Sequence, residues 1–451
     1  MTRNKPGKTI RSVLDACADC DTCRFLMDES CPLFPELYRL YDQEKEKNEP
    51  ADYDALRKLA DRCTLCGLCP CPNIRADVIR EKTERVREEG MPLGVRLLAD
   101  VQTFGRWGSL APKVLNKVLS FAAVRQVAKK IAAIHPKRDI PELAGENFFH
   151  WAQKKGLVHA AQQAPKVTYF AGCSAGYLFP DVAKATVRTL HSSGVSIYVP
   201  PQQCCGMPSL LEGDAPTALK RMGANLKILL QALADGYDLV CSCPTCGFLM
   251  KVLLKEGAFY STDYQQSVSP DDNEMWVPGN ETGTSSFMRL KKSVYTKILT
   301  DNSYFSDLEP LERINLAANI MDLGQYLERL HGRDRLNTQF AAVPGHMVYY
   351  APCHQREQRM GTPYLDLLSK IPDLKVKRVG NQMDCCGMGG SLGYKQSFHD
   401  MAKQLAEPLM REIQAAQPEA IITDCLSCRL QFQHLLPYPV FHPVEIISQG
   451  Y

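Results

Sequence analysis

Ala351-Pro352-Cys353-His354, Asp384-Cys385-Cys386-Gly387-Met388-Gly389-Gly390 and Asp424-Cys425-Leu426-Ser427-Cys428 carry the pattern that decides how this chain is read. Adjacent cysteines do not readily pair with each other, because a disulfide needs side chains that converge from separated backbone positions. Two thiolates on consecutive residues can instead ligate different irons of one cluster. Soft thiolate donors at this density point first to iron–sulfur chemistry and second to zinc.

The same arrangement stands earlier in the chain, as Cys173, then Cys204-Cys205-Gly206, then Cys243-Pro244-Thr245-Cys246. Cys173 to Cys204 spans 31 positions and Cys353 to Cys385 spans 32; Cys205 to Cys243 spans 38 and Cys386 to Cys425 spans 39. Short apolar runs precede the cysteine groups and read as strands. They are Lys166 to Ala171, Val195 to Val199 and Asp238 to Val240 in the first copy, and His346 to Tyr350, Leu374 to Val379 and Ala420 to Thr423 in the second. Helical patterns at Pro180 to Leu190 and Ala215 to Ala234 separate the first three strands. Ligands collect at the carboxyl ends of strands in open parallel sheets, so each set of three groups is expected to converge at one edge. A repeat this close predicts two similar half-domains facing across a pseudo-twofold axis.

Two further cysteine groups lie near the start: Cys17, Cys20, Cys23 and Cys31, then Cys63, Cys66, Cys69 and Cys71. Two triplets, each trailed by Cys-Pro, make the signature of a two-cluster bacterial ferredoxin, in which the fourth cysteine serves the other cluster. Cys17, Cys20, Cys23 and Cys71 are then one [4Fe-4S] ligand set, and Cys63, Cys66, Cys69 and Cys31 the other. The fourth-cysteine gaps are seven and one residues, where three is usual. The short gap leaves the reach of Cys71 open. Zinc ribbons use paired knuckles rather than triplets, which disfavours them.

At 451 residues the chain has room for two to four domains. A net charge of +3 gives no case for nucleic acid. The 19 cysteines are the outlier. The opening Met1-Thr2-Arg3-Asn4-Lys5-Pro6 runs into no apolar h-region, so no secretory signal is expected, and no apolar run is long enough for a transmembrane helix. An odd number of cysteines in tight groups suits metal ligation better than pairing, and a reducing, cytoplasmic compartment is expected.

The expected fold is α+β with α/β: a helical, two-[4Fe-4S] ferredoxin-like domain over 1–100, a helical linker over 101–165, a first Rossmann-like parallel half-domain over 166–256, an insertion over 257–340, and a second half-domain over 341–451. Leu33 to Arg62 and Ile74 to Gly90 read as helical. Leu110 to Ile134 reads as one amphipathic helix carrying Lys113, Lys117, Arg125, Lys129 and Lys130. Such a helix can dock on an anionic membrane or a partner, but composition favours one packed into the core with a solvated basic face. Residues 135–165 read as a linker whose His135, His150 and His159 are structural. Within the insertion, the polar Ser261 to Ser286 leads into helical patterns at Phe287 to Leu299 and Ile314 to Leu330.

The doubled C-x(n)-C-C-G-x(n)-C-x-x-C motif behind two ferredoxin triplets resembles the heterodisulfide reductase iron–sulfur subunits, over nearly the whole chain. Within that family it is most similar to the C subunits of anaerobic glycerol-3-phosphate dehydrogenases, and it also resembles the iron–sulfur subunits of glycolate and lactate oxidases. The first copy departs from the glycerol-phosphate pattern in having a complete closing pair, Cys243 and Cys246, and the long insertion departs as well. The resemblance implies that Cys173, Cys204, Cys205, Cys243 and Cys246 hold one noncubane [4Fe-4S] cluster, and Cys353, Cys385, Cys386, Cys425 and Cys428 another.

Eighteen cysteines are then assigned and Cys241 is left over, as a small buried hydrophobe. Gly387 to Gly393 follows a ligand pair and reads as backbone wrapping a cluster rather than a dinucleotide loop, so neither flavin nor NAD is expected in this chain. The expected role is an electron-transfer subunit for anaerobic respiration, passing electrons from a flavoprotein dehydrogenase subunit toward quinone, with a membrane quinone-reactive subunit and peripheral membrane association as expected partners. The alternative is a thiol–disulfide reductase in which His354, beside a ligand cysteine, supplies a proton as the catalytic group. Ser174 holds that position in the first copy, so such chemistry belongs to the second.

Overall fold

Two four-stranded parallel sheets, one from each repeat, form the centre of the molecule in a computed structural model that describes residues 8–69, 71–161, 163–279, 286–296 and 298–451. The first sheet begins with β1 (Lys166–Phe170), β2 (Ser196–Tyr198) and β3 (Asp238–Cys241). An antiparallel hairpin, β4 (Glu274–Pro278) with β5 (Phe287–Lys291), stands apart from it. β6 (Ile320–Asp322) then returns beside β3 and completes the order β2-β1-β3-β6. The second sheet uses β7 (Gly345–Tyr350), β8 (Leu374–Val379), β9 (Ala420–Thr423) and β10 (Val440–Phe441) in the order β10-β9-β7-β8. The two orders match strand for strand, with β8, β7, β9 and β10 in the places of β2, β1, β3 and β6.

Burial explains why the central strands read as continuous apolar runs. Val167, Tyr169 and Phe170 of β1 and Val348, Tyr349 and Tyr350 of β7 are all buried, as strands covered on both faces require. Val167, Tyr169 and Val240 share one core with Tyr349, Ile422 and Ile446, so the halves are fused through apolar packing. Helix contacts are reciprocal. Pro180–Ser192 of the first half packs on Pro443–Gln449 of the second, while Pro363–Leu368 of the second packs on Leu323–His331 of the first. That exchange is the signature of a pseudo-twofold arrangement.

The N-terminal region is helical: Lys8–Cys20, Thr22–Leu26, Phe34–Lys47, Tyr53–Ala60 and Pro72–Glu89. Ile10, Val13, Leu14, Leu37, Leu56 and Leu59 form its small core. Several patterned stretches differ from expectation. The stretch read as an insertion, 257–340, divides: β6 and the helix Leu323–His331 belong to the first half, just as β10 and Pro443–Gln449 close the second. The helical pattern at Ile314 to Leu330 is thus two helices, Pro310–Asn319 and Leu323–His331, separated by β6. Asp322 ends the strand and caps the second helix by accepting from Gly324 N at 2.7 Å. A three-residue buried strand is too short to disturb a helical period.

Phe287 to Leu299 likewise begins as β5, because pairing with β4 overrides the local pattern, and turns helical only at Lys292–Tyr295. Leu110 to Ile134 is two helices, Pro112–Ser120 and Ala122–Ile131, broken where Phe121 takes an extended conformation with ψ of 121°. The expected core packing of this stretch is also corrected: Val114 is 64% and Val127 59% exposed. Residues 135–165, read as linker, contain the helix Phe148–Lys154, which Asn147 caps and Phe148 anchors in the core. The Met1 to Pro6 opening and residues 280–285 of the polar segment lie outside the described residues. Among those described, no helix is long and apolar enough to cross a membrane.

Candidate functional site

The strand–helix order delivers each cysteine group of a repeat to the same sheet edge. In the first half, Cys173 follows β1, Cys204 and Cys205 follow β2, and Cys243 and Cys246 follow β3; all five are buried. Cys204 Sγ lies 3.4 Å from Cys173 Sγ. The hydrogen bond to Cys204, then burial, then the charge of Cys204, Cys205 and Cys243 push the Cys173 thiol well up. In the second half, Cys428 Sγ lies 2.9 Å from Cys386 Sγ. Burial, then Cys386 and Cys425, push Cys428 well up, and the hydrogen bond that Cys385 donates to Cys386 does the same for Cys385. Other thiols go the opposite way: Cys243 is lowered, chiefly by a hydrogen bond from Cys246. Cys204 and Cys386 are held well below the usual thiol range, chiefly by thiol hydrogen bonds from Cys173 and Cys385.

The N-terminal cysteines sort into two groups. Burial, then the charges of Cys23, Cys71 and Cys20, push the Cys17 thiol up to about 12, and burial followed by Cys71 and Cys20 raises Cys23. Cys71 reaches this group from the start of the helix Pro72–Glu89. Cys31, Cys63, Cys66 and Cys69 instead line one pocket with Leu33, Leu65 and Arg75. Burial, then Cys63, Cys66 and Cys31, raises Cys69. Leu65 adopts a left-handed φ of 52° and Gly67 one of 92°, tight turns that bring Cys63, Cys66 and Cys69 to the lining of one pocket.

These sites are joined by a seam centred on His354. Its Nε2 is 2.9 Å from Leu65 O and its Nδ1 is 2.9 Å from Thr245 Oγ1, while its ring stacks on Phe248 at 4.6 Å. One side chain of the second half thereby touches the first half and the N-terminal cysteine region. Gln358 Nε2 donates to Pro244 O at 3.0 Å across the same seam. Cys353 stands close enough to Cys66 that, after burial, the charge of Cys66 is the largest influence raising it. Cys241 is fully buried at the end of β3, its Sγ 4.0 Å from Cys243 O.

The glycine run after Cys386 also packs closely on neighbouring elements. Gly387, at φ 79°, abuts Ala402 of the helix His399–Ala416, Gly389 abuts Thr64, and Gly390 abuts Leu211. Sequence reading also missed the cations around the pockets. Arg138, 1% exposed, donates to Gln431 Oε1 at 2.6 Å and lies over Tyr394, with Met388 Sδ 2.9 Å away. Arg356 donates to the carbonyls of Asn381 and Asp384 at 2.9 Å each. Near the first pocket, Arg221 is paired with Asp100 at 2.6 Å. Arg138 stands some 250 positions from the second cysteine group, so no local pattern could have found it. The matching positions Tyr169–Ser242 (2.7 Å) and Tyr349–Asp424 (3.2 Å) tie the first strand of each half to the residue before its closing cysteine pair.

A buried pocket of five thiols resists deprotonation, since each thiolate raises the cost of the next and water is absent to solvate them. A polycationic iron–sulfur core reverses that balance, and metal binding drives the thiols to thiolates. The donor set therefore fits such a group. Among the described residues, no three Cys, His, Asp or Glu side chains are arranged around a single metal ion. Ligands of a multi-iron cluster bind different irons and need no common point.

Comparison with known proteins agrees with this geometry. The family model of the CCG cysteine-rich domain matches residues 167–251 and 347–433, the two halves. The C subunit of the anaerobic glycerol-3-phosphate dehydrogenase of Escherichia coli K12 is 22% identical over 339 residues, covering 75% of this chain and 72% of that protein. The B subunit of the fumarate reductase (CoM/CoB) of Methanothermobacter marburgensis is 24% identical over 435 residues, covering 89% of this chain and 73% of the relative. Lactate utilization protein A 2 of Bacillus cereus is 22% identical over 295 residues, 63% of this chain and 98% of its own length.

Proposed function

As this chain carries two copies of the CCG cysteine-rich domain, we propose that it is the iron–sulfur electron-transfer subunit of a dehydrogenase or reductase complex. The observation that carries this reading is the proximity of Cys353 to Cys66, which makes the second repeat pocket and an N-terminal cysteine pocket neighbours. In this reading Cys17, Cys20, Cys23 and Cys71 hold one cubane [4Fe-4S] cluster, and Cys31, Cys63, Cys66 and Cys69 a second. Cys173, Cys204, Cys205, Cys243 and Cys246 hold a noncubane cluster, as do Cys353, Cys385, Cys386, Cys425 and Cys428. Bound clusters supply one-electron storage at potentials set by charge, hydrogen bonding and solvent access. The protein's own work is to bury the repeat pockets away from water, to set cations beside them and to hold the sites together through His354.

The partner in this proposal is a flavoprotein dehydrogenase subunit, with electrons leaving toward quinone at the cytoplasmic face of a membrane. Subunits of this kind among the relatives support a partner of some sort. The alternative of a disulfide reductase with His354 as proton donor is disfavoured by its surroundings. Burial drives the ring down to about 4, and both nitrogens already have partners. The test is anaerobic purification with iron and sulfide analysis, followed by affinity capture from the native host. Roughly sixteen irons per chain and recovery of a flavoprotein are expected. Zinc without iron or sulfide would sink the proposal, and rapid turnover of a small disulfide by the lone protein would replace it with the alternative.

A further inference from the structure

Eleven of the twenty large apolar side chains exposed among the described residues lie between Leu93 and Ile131. This stretch forms four consecutive helices: Leu93–Ala99, Val101–Gly108, Pro112–Ser120 and Ala122–Ile131. The first two pack together, as do the last two. Gly94 sits against Ala132 and Ala133, where an added Cβ would come within 2.8 Å, and so ties the first helix to the end of the last.

The exposure does not come from loose attachment. Gly105 packs against Tyr177 and Gly108 against Leu143, each closer than a side chain would allow. Asn116 makes two bonds to the backbone of Leu143, at 2.8 and 3.0 Å. Lys129 turns inward to donate to Pro136 O at 2.7 Å. With those contacts fixing the inner faces, Trp107 is 68% and Leu110 76% exposed, and Phe121, Val127 and Ile131 are each more than half exposed. Val124, Val127 and Ile131 recur at helical spacing on one face of their helix.

Charge identifies the occupant. From Val101 through Arg138 the chain has no Asp or Glu, while Arg106, Lys113, Lys117, Arg125 and Lys130 stand exposed among the apolar side chains. A second copy docked face to face would set these cations against themselves. An anionic phospholipid surface instead complements both features: apolar side chains enter the acyl boundary, the cations meet the headgroups, and the indole of Trp107 suits the interface. We propose that helices 93–131 form the surface by which this protein docks on an anionic bilayer, lying on it rather than crossing it. The inference rests on the fold and charge of this segment and holds whatever the cysteines bind.

The full chain, purified anaerobically, is sedimented with vesicles of phosphatidylcholine alone or with about one third phosphatidylglycerol. Binding to the anionic vesicles, weakened by salt and absent from neutral ones, is expected. Lys113→Glu with Lys117→Glu should lower the partition coefficient tenfold or more, and Val127→Asp should lower it without changing the melting temperature, since that side chain faces solvent. Failure to bind anionic vesicles, or variants that bind like the parent, overturns the proposal. So does a dimer that Val127→Asp dissolves, or lipid binding that vanishes only when a copurifying protein is removed.

Discussion

His354 Nε2 lies 2.9 Å from the carbonyl oxygen of Leu65, which ties the second repeat to the N-terminal cysteine region through a buried ring. The same ring contacts Thr245 and stacks on Phe248 of the first repeat. His354→Ala removes one stacking partner and two polar contacts at a three-way seam. A loss of about 2–4 kcal/mol is expected from those contacts together. Urea unfolding measures it, and limited proteolysis should show the N-terminal region released first. A variant as stable as the parent would mean that the seam is held elsewhere.

The repeat and its strands were legible because covered parallel strands are short, apolar and followed at once by cysteines. Pro408 within the helix His399–Ala416 and the brief β6 were not, since tertiary packing settles both. In the candidate site, the recurrence of a cysteine group after each strand was readable from spacing, while the division into ligand sets was what the resemblance implied. Arg138, Arg356 and the true surroundings of His354 were not, because each acts through residues distant in sequence. The basic segment after Leu110 shows the same limit. Its amphipathic period is plain in the sequence, but whether its apolar face meets core or solvent depends on what the fold places against it.

Burial drives His354 down to about 4 and His442 down to about 3. Both folded values lie below the unfolded one near 6.5. Their stabilising contribution is therefore complete above pH ~6.5 and is lost as the pH falls toward the folded values. Asp322 acts in the opposite sense: burial raises it to about 6, so its contribution is present at low pH and lost as the pH rises from ~3.8 to 6. The three together leave about one extra proton taken up on unfolding between pH ~6 and ~4, a loss of about 1.4 kcal/mol per pH unit. His442→Asn puts a side-chain oxygen in place of the ring Nδ1 that accepts from Val444 N at the cap of Pro443–Gln449, and removes one titrating ring. The urea midpoint of this variant should depend less on pH across that window, and an unaltered slope would count against the assignment.

Arg138 and Arg356 spend their N–H groups on neutral acceptors beside the second pocket, whereas Arg221 beside the first is paired with Asp100. The second pocket is the more electropositive, so a cluster bound there should be reduced at the higher potential. Arg138→Met should lower that potential by tens of millivolts, where 59 mV is equivalent to about 1.4 kcal/mol for one electron. Redox titration followed by electron paramagnetic resonance separates the two repeat signals. Coincident potentials in variant and parent would remove the electrostatic role.

The glycine after each cysteine pair adopts a left-handed conformation, with φ of 99° at Gly206 and 79° at Gly387. A Cβ on Gly387 would come within 1.9 Å of Ala402 O, whereas on Gly206 the nearest atom, in Ala218, is 3.0 Å away. Gly206→Ala should cost about 1–2 kcal/mol from backbone strain and tight packing. Gly387→Ala should cost several kcal/mol more, because the helix His399–Ala416 must move. Melting temperatures of the two variants rank the effects, and equal losses would contradict the difference in contact.

Solvent access should order the loss of iron in air. Cys20 and Cys71 are exposed, while Cys31, Cys66 and Cys69 line a pocket with Leu33, Leu65 and Arg75, and eight of the ten cysteines of the repeat pockets are buried. Oxidants reach sulfur through water, and exposed thiolates are the ones they attack. Air exposure of the iron-loaded protein is therefore expected to bleach the Cys17, Cys20, Cys23 and Cys71 site first, releasing about a quarter of the iron before the rest. Cys71→Ser should speed that phase and leave the slower ones alone, because in the proposed grouping Cys71 belongs to that site alone, beside Cys17 and Cys23. A single-rate loss of all iron would show that the four sites share one route to solvent, which the burial of the repeat pockets opposes.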